Sequence, residues 1–226
     1  MNADCYVITI DTNPRSISAS KRCIDSGNKV GLDIQLFNAF TPTHDPLKTL
    51  EGKDINTKVF YDASAGSYPE AVAGCFLSHF TLWEKCIEIN KPIIIFEHDA
   101  IIINEIPLNI LDGTGFDQVV NLGKPAHGEF KIPEGVGVDL FVASQGFKGT
   151  HAYAIKPSGA LKLTEQAKVD ASAVDVFINT KTFPFLQDLY PWPVIATLEF
   201  STIQKQANRY STNIQLDEFG NSRARE

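Results

Sequence analysis

Cysteine is scarce in this chain of 226 residues: Cys5, Cys23, Cys75 and Cys86 are the full complement. They form no CxxC pair and no zinc-like Cys/His spacing, which excludes a disulfide framework and a structural zinc site. Reduced core positions are expected for all four, since a free thiol packs as a small hydrophobe. A basic surplus is missing too: 20 Lys and Arg face 27 Asp and Glu, a formal net charge of −7. With its basic residues scattered, the chain offers no positive stripe for a phosphate backbone and no electrostatic hold on anionic lipid, so nucleic acid is not an expected partner. Long apolar runs are also lacking. The most apolar stretch, Pro92 to Ile103, is broken by Glu97, His98 and Asp99, far short of the ~18 residues of a membrane helix. No integral membrane segment is expected. The first residues show no basic region followed by an apolar one, as a secretory leader would, and a cytoplasmic location is the expectation.

Several chemistries are absent by motif. The chain has no GxGxxG, no Walker A loop, no GxSxG elbow, no HExxH, and no zinc-deaminase HxE with CxxC. Internal repeats and low-complexity blocks are missing as well.

What is present is the profile of a soluble globular domain, 43% hydrophobic, long enough to bury a core without metal or disulfide staples. Cys5 to Ile10 is a β-rich run that stops at the turn chemistry of Asp11 to Pro14. Arg15 to Ser26 has helical composition and leads through Gly27-Asn28 into a second strand at Ile34–Phe37. Strand, helix, strand alternation favours an α/β sheet, whose ligands collect at the carboxyl ends of strands. Thr41 to Ala65 is polar and weakly periodic, a region of loops and short elements.

The clearest helix follows. Ser67 with Glu70 is a capping-box pattern, and Val72, Cys75, Phe76, His79, Phe80, Trp83, Cys86 and Ile87 recur at three-and-four spacing. Pro92 limits the helix to about Asn90. Ile93–Phe96 is then a β-branched run apolar on both faces, as in a central parallel strand. Further strands are expected at Asp117–Leu122, His151–Ile155 and Tyr190–Thr197, and helices at Ala160–Ala167 and Ala173–Asn179. Gly123 to Gly149 is glycine-rich and expected to form irregular loops around short strands. The polar tail, 206–226, is expected to fray, leaving 1–205 as one domain.

Glu97-His98-Asp99 is the main chemical feature. In an extended segment, residues two apart project to one side, so both carboxylates could meet one divalent cation while His98 points away. Hard oxygen donors suit Mn²⁺ or Mg²⁺. The carboxylate-x-Asp spacing occurs once in the chain, at the end of its most apolar strand. The bland alternative is a solvated strand end. For His79, on the apolar face of its helix, periodicity alone favours a core imidazole, and Ser78 is expected to bond back to an earlier carbonyl. Trp83 belongs to the core. Cys75 and His79 are four residues apart, but a buried stripe is a poor place for a nucleophile.

Gly74-Cys75-Phe76-Leu77-Ser78-His79-Phe80-Thr81-Leu82-Trp83, followed by Ile93-Ile94-Ile95-Phe96-Glu97-His98-Asp99-Ala100, resembles glycosyltransferase family 25. That family includes lipooligosaccharide and collagen-modifying galactosyltransferases, and its helix with Gly-Cys, Ser-His and Trp leads to a strand ending Leu-Glu-Asp-Asp-Ala. Val7–Asp11 with Arg15, Phe37–Ala39, Phe116–Gly123, Gly149–Ile155 with Ala160–Leu163, Asp175, and Phe200–Ile203 are similar to further family segments. His98 stands where Asp is usual, and Gly123 to Gly149 has no counterpart.

The resemblance implies a GT-A fold, an α/β single domain with a mostly parallel central sheet flanked by helices. It implies an enzyme moving a hexose, galactose or glucose, from a UDP-sugar to a glycan or glycolipid hydroxyl with inversion, as in LPS biosynthesis. Glu97 and Asp99 would hold Mn²⁺ or Mg²⁺ against the diphosphate. Thr9, Asp11, Arg15, Ser78, His79, Glu97 and His98 would serve the donor, and Asp175 would be the general base. The alternative is an inactive nucleotide-sugar or glycan binder of the same fold, with His98 as its mark. Neither acceptor identity nor oligomeric state follows from the residues.

Overall fold

In the computed structural model the described residues are 3–61, 68–107, 116, 118–126, 132, 137–197, 215–216 and 222–223. Expected features that fall partly or wholly outside them are the cap at Ser67, Asp117 of the expected strand Asp117–Leu122, the segment Phe200–Ile203, and parts of Thr41–Ala65, of Gly123–Gly149 and of the tail 206–226.

β1 (Asp4–Thr9), α1 (Pro14–Asn28) and β2 (Ile34–Asn38) open the chain, followed by two 3-10 turns flanking α2 (Pro46–Glu51). The long α3 (Pro69–Ile89) then delivers the chain to β3 (Ile93–Glu97) and β4 (Ala100–Ile102). β5 (Val119–Asn121), β6 (Asp139–Val142), β7 (Ala152–Ile155), α4 (Pro157–Val169), α5 (Val174–Phe177), β8 (Leu186–Tyr190) and β9 (Val194–Ala196) complete the domain. Seven strands form one sheet in the order β2-β1-β3-β7-β5-β8-β6. Five of them point the same way, while β7 and β6 run against their neighbours. The expected mostly parallel α/β sheet is therefore present with two reversed strands.

Alternation along the strands splits the core into two layers. Tyr6, Ile8, Ile93, Ile95, Tyr153 and Ile155 face α3 and α4, with Phe76, Leu77, Phe80 and Trp83 packed on them. Cys5, Val7, Ile94, Phe96, Ala152 and Ala154 face the other side, toward Cys23 of α1. β3 is buried on both faces from Ile93 through Phe96, as its unbroken apolar run required.

Helix ends follow local chemistry. Asn13 caps α1, its side chain accepting from Arg15 and Ser16 N–H groups, with Pro14 in the first turn. For α3 the N-cap is Tyr68, followed by Pro69 and without a side-chain cap bond, so the expected capping box does not start this helix. Asn90 ends it at φ 49°, the left-handed conformation in which Asn is tolerated. Aromatic packing fixes α5 to α3: Phe177 lies 5.3 Å from Phe76 at 86° and 5.8 Å from Trp83 at 23°.

Two expectations at the C-terminal end need correction. The strand Leu186–Tyr190, central enough to pair with both β5 and β6, lies before the expected one, because its Gln187 and Asp188 interrupt the apolar signal. Val194–Ala196, within the expected last strand, leaves the main sheet to pair antiparallel with β4. Within the tail, Gln215–Leu216 pairs with Ser222–Arg223. All four cysteines are free; Cys5, Cys23 and Cys86 are buried, and Cys75 is half-buried. No helix among the described residues is long and apolar enough to cross a membrane.

Candidate functional site

A cavity of about 680 Å³ opens at the carboxyl ends of β1 and β3, against α3 and the loop after β2. That volume falls in the range of roughly 300–1,000 Å³ usual for small-molecule sites. Its polar wall is Ser78, His79, Glu97, His98 and Asp99; Phe40, Pro42 and Tyr68 contribute apolar surface.

α3 supplies this wall through two adjacent stripes at i, i+4 spacing. Gly74 and Ser78 meet the loop after β2. A Cβ on Gly74 would lie 2.6 Å from the Phe40 carbonyl oxygen, so only glycine permits the approach. Ser78 donates to the Gly74 carbonyl at 2.7 Å and accepts from the Phe40 N–H at 2.9 Å. Its hydroxyl is thus a clasp between helix and loop, as well as part of the wall. Cys75 and His79, one residue on, face the acidic end of β3.

His79 is fully buried. Its Nδ1 is 2.9 Å from the Tyr153 hydroxyl, which also accepts from the Trp83 indole N–H at 2.7 Å. Its Nε2 has no hydrogen-bond partner and stands 3.5 Å from Glu97 Oε1. Burial lowers the His79 pKa to about 3, with the nearby Asp175 charge acting weakly the other way. The same burial raises Glu97 to about 7, His98 lowering it and Asp175 adding to the rise. The imidazole is therefore neutral at pH near 7 and the contact is not an ion pair, a quarter of the Glu97 side chain remaining accessible in the cavity. Asp99 is raised as well, by burial first and by the Glu97 charge second. Its Oδ1 is buried with no partner, while its carbonyl accepts from the Thr197 N–H at 3.0 Å.

The expectation that His98 points away is corrected. β3 ends at Glu97, His98 and Asp99 form a turn, and β4 begins at Ala100; strand alternation does not extend through the motif, and all three residues line the cavity. Thr9, Asp11 and Arg15 are not among the lining residues. Thr9 is buried, its Oγ1 2.6 Å from Ser20 Oγ, and Asp11 and Arg15 are exposed. Their neighbours Thr12 and Asn13 line the cavity instead. Asp175 is also outside the lining, yet its charge reaches Cys75, His79 and Glu97.

Sequence reasoning assigned no role to Cys75 or Tyr153 at the site. Cys75 was legible from its i, i+4 relation to His79, once His79 is known to face a cavity. Its Sγ, a His79 nitrogen and a Glu97 oxygen lie within 4.8 Å of one another. Burial and nearby carboxylates hold the Cys75 thiol well above its ordinary pKa, so it is neither a ready nucleophile nor a ready thiolate ligand. The pair Glu97 and Asp99 is the better match to a hard divalent ion: oxygen donors only, mutual repulsion, and one buried oxygen without a partner.

Residues 3–113 match the family model Glycosyltransferase family 25 (LPS biosynthesis protein). The matched segment runs from β1 past β4 and contains every cavity-lining residue. No curated protein matches the chain.

Proposed function

With residues 3–113 carrying the sequence of glycosyltransferase family 25, we propose that this chain transfers galactose or glucose from a UDP-sugar to a hydroxyl of a glycan or glycolipid, with inversion. The family description supports an LPS-type acceptor. The observation that carries the reading is the end of β3: two carboxylates on one cavity, one of them holding a buried, unpartnered oxygen. Glu97 and Asp99 would hold Mn²⁺ or Mg²⁺ there; bound, the ion acts as a Lewis acid that neutralises charge developing on the departing UDP. Ser78 holds the cavity wall in place, and His79 and His98 face the donor. Asp175, fixed by the packing of Phe177 on α3, takes the acceptor proton as general base.

The test is UDP release from a panel of UDP-sugars, with Mn²⁺ and with chelator. Turnover that needs the metal and is lost in Asp99→Ala supports the proposal; metal-independent turnover removes the metal role. A folded Asp175→Asn protein with normal turnover removes that residue as base. Nucleotide-sugar binding by calorimetry without any turnover would identify an inactive binder.

A further inference from the structure

We infer that Trp83, Tyr153 and His79 form a relay that fixes the imidazole proton on Nε2 and presents it as a hydrogen-bond donor to the Glu97 carboxylate. Tyr153 and His79 are then positioning residues for that carboxylate. The consequence at Glu97 rests on the glycosyl-transfer reading; the tautomer does not.

The protons available at the three side chains decide the tautomer. An indole N–H only donates, so the 2.7 Å contact from Trp83 makes the Tyr153 oxygen an acceptor. Tyr153 is fully buried, and its one hydroxyl proton needs an acceptor of its own. Its remaining contact is His79 Nδ1 at 2.9 Å. Nδ1 therefore accepts, and a neutral imidazole with Nδ1 accepting carries its proton on Nε2. That nitrogen is buried, lacks a partner, and lies 3.5 Å from Glu97 Oε1. Such contacts are often long in unliganded sites and tighten when substrate is bound.

The same count decides how the cluster of Cys75, His79 and Glu97 is used. Three donors within 4.8 Å of one another are a set that suits zinc. Coordination through Nε2 would drive the proton to Nδ1 and leave the Tyr153 hydroxyl, already accepting from Trp83, with a buried proton and no acceptor, an arrangement that costs stability. The relay keeps His79 a donor and withholds it from a metal. Carboxylate ligands depend on such outer partners, whose loss typically reduces metal affinity or activity about 10–100-fold.

Histidine-labelled protein, with the His79 signal assigned by its loss in His79→Gln, gives the tautomer directly in long-range ¹H–¹⁵N spectra. The expected result is Nε2–H alone, becoming a mixture in Tyr153→Phe. An Nδ1–H tautomer in the wild type, no change in Tyr153→Phe, or displacement of the Nε2 proton by added Zn²⁺ would overturn the relay. The second readout is the apparent KM for Mn²⁺ in UDP release, expected to rise about tenfold in Tyr153→Phe. His79→Gln, which keeps an N–H at similar reach, should retain more activity than His79→Leu; equal losses would make the role merely structural. If Tyr153→Phe fails to fold, the wild-type tautomer and the two His79 variants decide. Wild-type protein that shows the Nε2–H tautomer but turns over no UDP-sugar would keep the relay and remove the transferase reading.

Discussion

β1 and β3 lie side by side, run parallel, and end at the same cavity, yet their ends are finished in opposite ways. At the end of β1 the side chains are paired. Thr9 Oγ1 meets Ser20 Oγ at 2.6 Å, Ser16 Oγ accepts from the Ile10 N–H at 2.9 Å, and Asn13 caps α1. At the end of β3 the backbone is equally well bonded, with Glu97 N–H on the His151 carbonyl and the Asp99 carbonyl on Thr197. Two side-chain atoms there are not: Asp99 Oδ1 and, across from Glu97, His79 Nε2 are buried without partners. Leaving a buried polar group unpaired costs roughly 1–3 kcal/mol. One strand end is built as scaffold, and its neighbour gives up stability, the trade expected of a functional site.

The largest effect is expected from Asp99→Asn. If Asp99 holds the proposed ion, a Lewis acid worth several kcal/mol, the change should lower metal-dependent UDP release at least about a hundredfold. Metal-free stability should be unchanged or higher, because a buried charge has gone. Equal losses of stability and turnover would place Asp99 with the scaffold.

Next in size is the pH dependence of Glu97. Its pKa in the folded protein is raised to about 7 from an ordinary 4.5, so folding favours its protonated form. That contribution is complete below the ordinary pKa and is lost as pH rises through about 7. Glu97→Gln should therefore exceed the metal-free wild type by on the order of 2 kcal/mol near pH ~8 and by little near pH ~5, measured by urea unfolding. His79, lowered to about 3, works in the opposite sense: its contribution is present above 6.5 and is lost as pH falls. Parallel stability curves would show that the Glu97 carboxyl is not desolvated.

On the scaffold side, Thr9→Val strands the Ser20 hydroxyl in the core. A loss of about 1–2 kcal/mol is expected, with kcat per folded molecule unchanged. A fall in kcat without a fall in stability would move Thr9 from scaffold to site.

The difference between the two strand ends also explains what the sequence could reveal. The strand-helix-strand opening, α3 and β3 were legible because each buries a face whose apolar residues recur with the right period. Glu97 and Asp99 were legible because charges ending such an apolar strand have no reason of packing to be there. The direction of His98 was not, since whether a strand stops or continues depends on the turn that feeds β4. β8 was hidden by Gln187 and Asp188, and Tyr153 was visible as an aromatic in a strand that resembles a family segment, without a role. Its role comes from partners 70 and 74 residues away, a separation no local pattern encodes.

Arg15 carries the smallest expected effect and tests whether the β1 end is scaffold alone. It sits on the first turn of α1, exposed, two residues beyond the cavity-lining Asn13. A guanidinium in water that reaches a diphosphate gains what surface charge pairs gain, about 0.2–1 kcal/mol. Arg15→Ala should then raise the apparent KM for UDP-sugar roughly two- to fivefold, leave kcat unchanged as uniform binding requires, and shift stability by less than about 0.5 kcal/mol. Because the contact is exposed, the KM difference should shrink as salt rises toward roughly 1 M, where screening acts within about 3 Å. An unchanged KM at low salt would leave α1 as scaffold, the contrast with β3 then being complete. A tenfold fall in kcat would instead show that this helix end takes part in stabilising the transition state, and that the two strands divide the work at the diphosphate.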